Sequence, residues 1–341
     1  MPAGAEVIVA LDGRGAEQGP QALAGGVRMA AGDGIRVRVF GDPGELAPVA
    51  DAGAEIVRAP GEISNDDDPV GAVRSREDAS IVMAAADVAE GRSHALVSAG
   101  PTGATMAAAL FALRRLSGVR RPSLAVQLPT VGHDGPPTLI LDVGANSEAR
   151  SQDLVQSAVM GAAFSHAVLD VDEPRVALLS VGEEAKKGTA NVVEAHSELA
   201  GMSGINFIGN VEGRDLLSGV ADVIATDGFT GNVALKTLEG TAKTVGSAVG
   251  AAARSNPVAG IGGLLLRPAL GSLRRKMDPD MTGGAILLGV RGVAIVGHGS
   301  SGADGIANAI RLAARAVEDR AVERTGELLA TAGATRGALG S

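Results

Sequence analysis

Several short stretches of this chain set charged, hydroxyl or amide side chains beside glycines, and each could hold an anion. In SVGEEAKKGTAN, Ser180 to Asn191, Lys186 and Lys187 precede Gly188 and Thr189, where a helical pattern opens. Two ammonium groups beside the free N–H groups of a helix start suit a phosphate or an oxyanion. The order Lys-Lys-Gly-Thr is not the Gly-Lys-Ser/Thr of a Walker A loop, so nucleotide cleavage is not implied. Taken alone, the stretch reads equally well as a solvated charged loop. In HALVSAGPTGAT an apolar run stops at Ser98, and Gly100, Pro101, Thr102 and Gly103 lead into another helix start. TLILDVGANSEAR and VIATDGFTGNVALKTLEG are apolar strands ending in Asp142 and Asp227, followed by small-residue loops with Asn146, Thr230 and Asn232. Ligands of open α/β sheets bind at such strand ends, although Asn232 also fits a helix cap. His298 in VGHGSS has the most site-like context of the histidines, with a structural loop histidine as the plain alternative. The first strand ends at Asp12 before Gly13, Gly15 and Gly19. That spacing is not G-x-G-x-x-G, so a tight turn is expected there rather than a nicotinamide loop.

Positioning such loops takes a regular framework. Strand-like runs are expected at Glu6–Leu11, Arg36–Phe40, Glu55–Arg58, His94–Val97, Ser123–Gln127, Pro137–Asp142, Arg175–Ser180, Asn206–Gly209, Val223–Ala225 and Ala294–Gly297. Helical patterns fit Gln21–Ala31, Asp78–Glu90, Thr105–Leu116, Ser151–Val168, Ala190–Leu199, Asn232–Ser247 and Asp304–Arg324. This alternation predicts an α/β protein with a mostly parallel sheet covered by helices on both faces. The 341 residues are 45% hydrophobic but only 1% aromatic, with no Trp or Tyr, so the core must be Val, Ile, Leu and Ala. One α/β domain over 1–327 is expected, with a flexible tail at 328–341.

Composition also excludes classes. A net charge of −9 and the near absence of aromatics argue against nucleic acid as a partner. Zero cysteines remove disulfides, thiolate metal sites and a thiol nucleophile. No metal-ligand spacing is evident, and neither a secretory leader nor a transmembrane helix is expected. A non-metal enzyme that handles phosphate is the favoured class, and a protein that binds such a ligand without reaction is the alternative. One segment differs in texture. PVAGIGGLLLRPALGSLRRKMDP, Pro257 to Pro279, places Leu264, Leu265, Leu266, Leu270 and Leu273 at helical spacing among Arg267, Arg274, Arg275 and Lys276. Such a helix lies on an anionic bilayer or packs against protein.

In this order, INFIGNVEGRDLL, VADVIATDGFTGNVALKTLEG, LDVGANSEA, VGEEAKKGT, GGAILLGV and GHGSS resemble the acyl-ACP:phosphate acyltransferase family of bacterial phospholipid synthesis (PlsX), from about Val7 to about Arg315. The resemblance implies a Rossmann-like α/β/α layered fold related to isocitrate and isopropylmalate dehydrogenases, with a helical projection at about 254–280. It implies transfer of a fatty acyl group from acyl carrier protein to inorganic phosphate, without a cofactor or metal. It assigns Lys187, then Lys186, as the cation on phosphate or oxyanion, with Asp227, His298 and Asn232 as further catalytic groups. Ser98, Gly100, Thr102, Gly103, Asn146, Gly188, Thr189, Thr230 and Asp12 are assigned to phosphate and substrate binding. It further implies a cytoplasmic homodimer in peripheral contact with an anionic membrane, handing its product to a glycerol-3-phosphate acyltransferase.

The chain departs from that family at two loops. Where members read D-A-M-G-G-D-H-A-P, this chain has Ala16, Glu17 and Gln18 in place of Gly, Asp and His. Glutamine cannot exchange protons near neutral pH as histidine does. Pro101 replaces the Asn of S-A-G-N-T-G-A, removing a backbone donor and an amide. A divergent member using acyl-CoA or another acyl donor, or one that only binds, is the second expectation.

Overall fold

The computed structural model describes residues 6–130, 135–276 and 278–339, without the side chains of 269, 270, 272–276 and 279. Eleven strands form one sheet: β1 (Ile8–Asp12), β2 (Arg36–Gly41), β3 (Glu55–Arg58), β4 (Ala95–Ser98), β5 (Ser123–Leu128), β6 (Thr138–Leu141), β7 (Arg175–Leu179), β8 (Asn206–Val211), β9 (Val223–Ala225), β10 (Ala285–Leu288) and β11 (Val293–Val296). Their order is β3-β2-β1-β4-β11-β10-β5-β6-β9-β7-β8. Strands β3, β2, β1, β4 and β11 are mutually parallel, as are β6, β9, β7 and β8. Between them, β10 is antiparallel to both β11 and β5, and β5 is antiparallel to β6. The two parallel sets therefore run in opposite directions, and their carboxyl ends emerge at opposite edges of the sheet.

Alternate strand residues enter different cores, as the twofold period of a strand requires. Val9, Leu11 and Ile295 pack with the helices Gly19–Gly32, Ser151–Val168 and Ala303–Glu318. Ala10, Leu96 and Ile140 pack on the other face with the helices Ser80–Ala89 and Thr102–Leu113. The result is the expected α/β/α layering, filled by aliphatic side chains. The helix Ser151–Val168 is the most enclosed of the described helices, and Gly161 lets it press on β9, because a Cβ there would stand 2.5 Å from a Val223 methyl.

Four elements differ from the expectation. Strand β10 lies in the glycine-flanked run GGAILLGV, too short to show a period by itself. The helix expected over Asp304–Arg324 breaks in two at Arg320, which adopts φ +54°, and resumes as Ala321–Thr331. Residues 328–339, expected as a loose tail, are anchored: Leu329 and Ala334 are fully buried, and the Leu339 carbonyl accepts from Gln152 Nε2 at 2.7 Å. The projection is longer than 254–280. It comprises the helix Gly228–Ala253, buried only at Gly228 and Gly231, and the helix Pro257–Lys276. The side chains of Leu270, Leu273, Arg274, Arg275 and Lys276 lie outside the described set. Among the described residues, no helix is long and apolar enough to cross a membrane.

Candidate functional site: an anion groove at one sheet edge

The edge reached by β6, β7 and β9 also receives the amino end of β5. Asp142, buried at the end of β6, organises it. Its Oδ1 accepts the N–H groups of Leu124, Gly144 and Ala145 at 3.1, 3.0 and 2.8 Å. Its Oδ2 accepts from the backbone N and Nδ2 of Asn146, both at 2.8 Å. Asn146 Nδ2 also donates to the Pro122 carbonyl at 2.7 Å, while its own carbonyl accepts from Gly228 N at 2.9 Å. The amide expected to touch substrate thus ties three segments together.

Two helices begin here. Asp227 caps Gly228–Ala253, accepting from Thr230 N at 2.8 Å and from Thr230 Oγ1 at 2.7 Å. The cap is therefore Asp227, and the exposed Asn232 stands beside Gly144 with no side-chain hydrogen bond among the described residues. Thr189 caps Ala190–Ala200, accepting from Val192 N at 3.4 Å. Gly188 before it has φ +109°, and a Cβ would meet the Ser180 hydroxyl at 2.8 Å. That buried hydroxyl has no protein partner among the described residues.

Between these helix starts lies a groove of about 590 Å3 lined by Arg121, Ser147, Glu148, Ala149, Arg150, Thr189, Asn191, Asp227 and Phe229. Lys186 and Lys187, adjoining Thr189 in the chain, are exposed and form no ion pair among the described residues. Two helix amino termini and four cationic side chains at one edge make a field that favours an anion. The lysine loop is held from behind. Asn210 Nδ2 donates to the Glu184 carbonyl at 3.0 Å, and that carbonyl also accepts from Lys187 N at 2.9 Å. His196 Nδ1 donates to Asn210 Oδ1 at 3.0 Å, and Arg214 pairs with Glu183 at 3.0 Å. Sequence reading missed Arg121, Arg150, Phe229 and Asn210 as site residues. The Arg120–Arg121 pair just before a strand and the Asn in IGNVEGRD were the available signals.

The other sequence-selected residues are not here. Asp12, Ser98, Gly100, Thr102, Gly103 and His298 gather at the opposite edge, beyond β1, β4 and β11. Four strand spacings and a strand length separate the two groups within a chain, on the order of 20 Å. A single site containing both sets is not assembled in one chain, because the sheet reverses between them. At this second edge, the SAGPTG loop spends its donors internally. Ser98 Oγ donates to Asp12 Oδ2 at 2.8 Å and accepts from Gly100 N at 3.0 Å, while Thr105 Oγ1 donates to the Pro101 carbonyl at 3.1 Å. Asp12 also accepts from Ser80 Oγ at 2.6 Å and Arg14 N at 3.1 Å. Burial pushes its carboxyl up to about 6, against those hydrogen bonds. Gly15, at φ +91°, allows the first loop to touch the second, since a Cβ would stand 2.5 Å from Gly100 Cα. Pro101 precedes the helix Thr102–Leu113 at φ −56°, so the loop keeps its turn without the missing N–H. His298 is exposed, and its Nδ1 lies 2.8 Å from Ser300 Oγ. Among the described residues, no cluster of His, Asp or Glu could hold a metal ion.

The profile of the family described as "Fatty acid synthesis protein" matches residues 7–324. A protein named phosphate acyltransferase from Anoxybacillus flavithermus is 42% identical over 326 residues, covering 94% of this chain and 98% of that protein. The chain belongs to this phosphate acyltransferase family. A phosphate acyltransferase from Elusimicrobium minutum is 48% identical over 266 residues, 78% of this chain and 77% of the relative. The enzyme is therefore an acyltransferase, and TDGFTGN and GEEAKKGT lie within the matched span. In fold it is similar to a phosphotransacetylase from Streptococcus pyogenes, with a TM-score of 0.60 and 17% identity, covering 92% of this chain and 95% of the other. It is also similar to a branched-chain phosphotransacylase from Enterococcus faecalis, with a TM-score of 0.58, 17% identity and coverage of 91% and 99%.

Proposed function

We propose that the groove binds inorganic phosphate and that the enzyme transfers a fatty acyl group to it from the thioester of acyl carrier protein, releasing acyl phosphate for phospholipid synthesis. The observation that carries this reading is a groove lined by Arg121 and Arg150 between two helix starts, with Lys186 and Lys187 just ahead of one of them in the chain. A phosphate oxygen attacks the thioester carbonyl, forming a C–O bond. The C–S bond breaks, and the thiolate leaves and takes up a proton. Phosphate near neutral pH is largely ionised, and a thiol of pKa about 8–9 is a ready leaving group. The protein's tasks are thus to bring two anionic partners together and to stabilise the developing oxyanion. Lys187 takes the latter role and Lys186 assists. The Thr189 and Asp227 caps fix the helix starts, and Asn232 orients the substrate from the open side of the loop at Gly144.

The exposed side chains of Val258, Ile261, Leu264, Leu265 and Leu266 on the helix Pro257–Lys276 support peripheral contact with an anionic membrane. There a reactive acyl phosphate passes to a glycerol-3-phosphate acyltransferase. The long unburied flank of Gly228–Ala253 supports pairing with a second copy. The test of the reaction is purified protein with acyl carrier protein thioester and phosphate, following acyl phosphate by mass spectrometry. Acyl phosphate is expected, and its absence overturns the reading. The substitutions Gln18 and Pro101 favour one second reading, a changed donor, which predicts product from acyl-CoA instead. Added NAD is expected to change nothing.

A further inference from the structure

The acyl donor proposed above is a protein, and it needs a place to dock. From Gly91 to His133 the chain contains no Asp or Glu, yet it carries Arg92, Arg114, Arg115, Arg120 and Arg121, in a protein whose 39 acidic residues outnumber its 30 basic ones. The fold gathers four of these with Arg291 at the edge that holds the groove. The helix Thr102–Leu113 descends from β4 and ends there, β5 starts there, and the β10–β11 turn brings Arg291. Contacts run without a break across the patch. Arg291 Nε donates to the Arg115 carbonyl at 3.0 Å, Arg115 donates to the Arg120 carbonyl at 2.6 Å, and Arg121 donates to the Glu148 carbonyl at 3.1 Å on the groove wall. Only Arg120 is neutralised, by Asp153 at 3.1 Å. Among the described residues Arg114, Arg115, Arg121 and Arg291 face no carboxylate within ion-pair distance. Two apolar side chains border them, Leu110 at 37% and Phe111 at 42% exposure, and the Arg74 guanidinium lies 4.9 Å from the Phe111 ring centre.

We infer that the Arg114–Arg115–Arg291 patch, with Leu110 and Phe111, is the docking platform for a carboxylate-rich helical face of the protein that carries the acyl thioester, resting on the donor reading above. Charge complementarity and continuity with the groove through Arg121 argue for this occupant. A carrier seated there feeds its flexible pantetheine arm along the Arg121 wall toward the phosphate. Such a platform speeds encounter and fixes orientation more than it alters chemistry.

The test is the double variant Arg114→Glu/Arg115→Glu, with Arg114→Lys/Arg115→Lys as the charge-preserving control and thermal melting as the folding check. Expected for the glutamate variant is a rise of at least about tenfold in Kd and KM for acyl carrier protein. Its phosphate KM and its turnover of a pantetheine thioester without protein are expected to stay within twofold, and the lysine variant is expected to bind the carrier as the native protein does. A glutamate variant that binds the carrier within twofold of native, while native makes acyl phosphate from it, overturns the docking surface and leaves the donor reading intact. A native protein that neither binds nor turns over the carrier overturns both.

Discussion

Asp142 and Asp12 are both buried carboxylates at strand ends, and their surroundings give them different duties. Asp142 accepts hydrogen bonds from three backbone N–H groups besides the two from Asn146, so it works as the fastener of the groove's floor. Asp142→Ala strands those donors at about 1–3 kcal/mol each where they stay dry. A fall of several degrees in Tm, with activity lost alongside, is the expected outcome in a melting and turnover series. Asp12 is held between two serines, and its raised carboxyl favours the protonated fold. The unfolded carboxyl binds its proton only below about 4, so between pH 4 and 6 the native state holds more protons, and stability contributed by Asp12 falls as pH rises. Relative to Asp12→Asn, the native protein is therefore expected to lose up to about 3 kcal/mol across that window, read from denaturant melts at each pH. The proposed reaction puts the developing oxyanion on Lys187. Lys187→Ala is expected to lower kcat/KM for acyl phosphate formation by about 100-fold or more, and a variant of native rate would remove the lysine from the mechanism.

Among the elements, the helix Gly228–Ala253 depends on two positions without side chains. A Cβ on Gly231 would collide with the Asp142 carbonyl, and one on Gly228 with the carbonyl of Asn146. Gly231→Ala must push the helix start from the loop, and the expected result is a measurable loss of Tm together with a raised phosphate KM. The lysine loop has a subtler support in Asn210. Asn210→Ala removes its bond to the Glu184 carbonyl, which keeps the Lys187 N–H, so the loss of positioning is about 0.5–1.5 kcal/mol. About a tenfold loss in kcat/KM with the melting curve nearly unchanged is expected, because the strand around it remains paired. Much at this scale was legible from the chain. Runs of Val, Ile and Leu gave the strand positions, and the threonine before Ala190–Ala200 marked a helix start that the structure caps through Thr189. Asn232 misled because Asn and Asp are both good caps, and choosing between them requires knowing which strand end presses on the helix.

For the whole molecule, the lesson lies in direction. A mostly parallel sheet would bring Ser98, Asp142, Asp227 and His298 to one edge, whereas the structure divides them between two. The signal was present in the connections. The connection from Leu128 to Thr138 is too short for the crossover that a parallel pair needs, so β5 and β6 pair antiparallel. Only Gly289–Gly292 separates β10 from β11, which reverses the sheet again. Side-chain types identify chemistry at a loop, but connection lengths decide which loops share an end. The projection gives a test at the same scale. Leu265→Asp/Leu266→Asp is expected to weaken binding to vesicles containing anionic lipid without changing turnover of soluble thioester, and unaltered vesicle binding removes the membrane contact.

The order of strands also bears on how the protein is made. Strand β4 pairs on one side with β1, which precedes it, and on the other with β11, which follows it only after six further strands. The helix that then covers this face, Ala303–Glu318, seats Ala303 and Ile306 against Gly25 and Gly26. Until Val293 emerges, the nascent amino-terminal half carries a bare strand edge, the kind that templates pairing with another chain. The β4 edge is therefore closed only once β11 has been made, and chains stalled before β11 are the ones most exposed to aggregation and to chaperone capture.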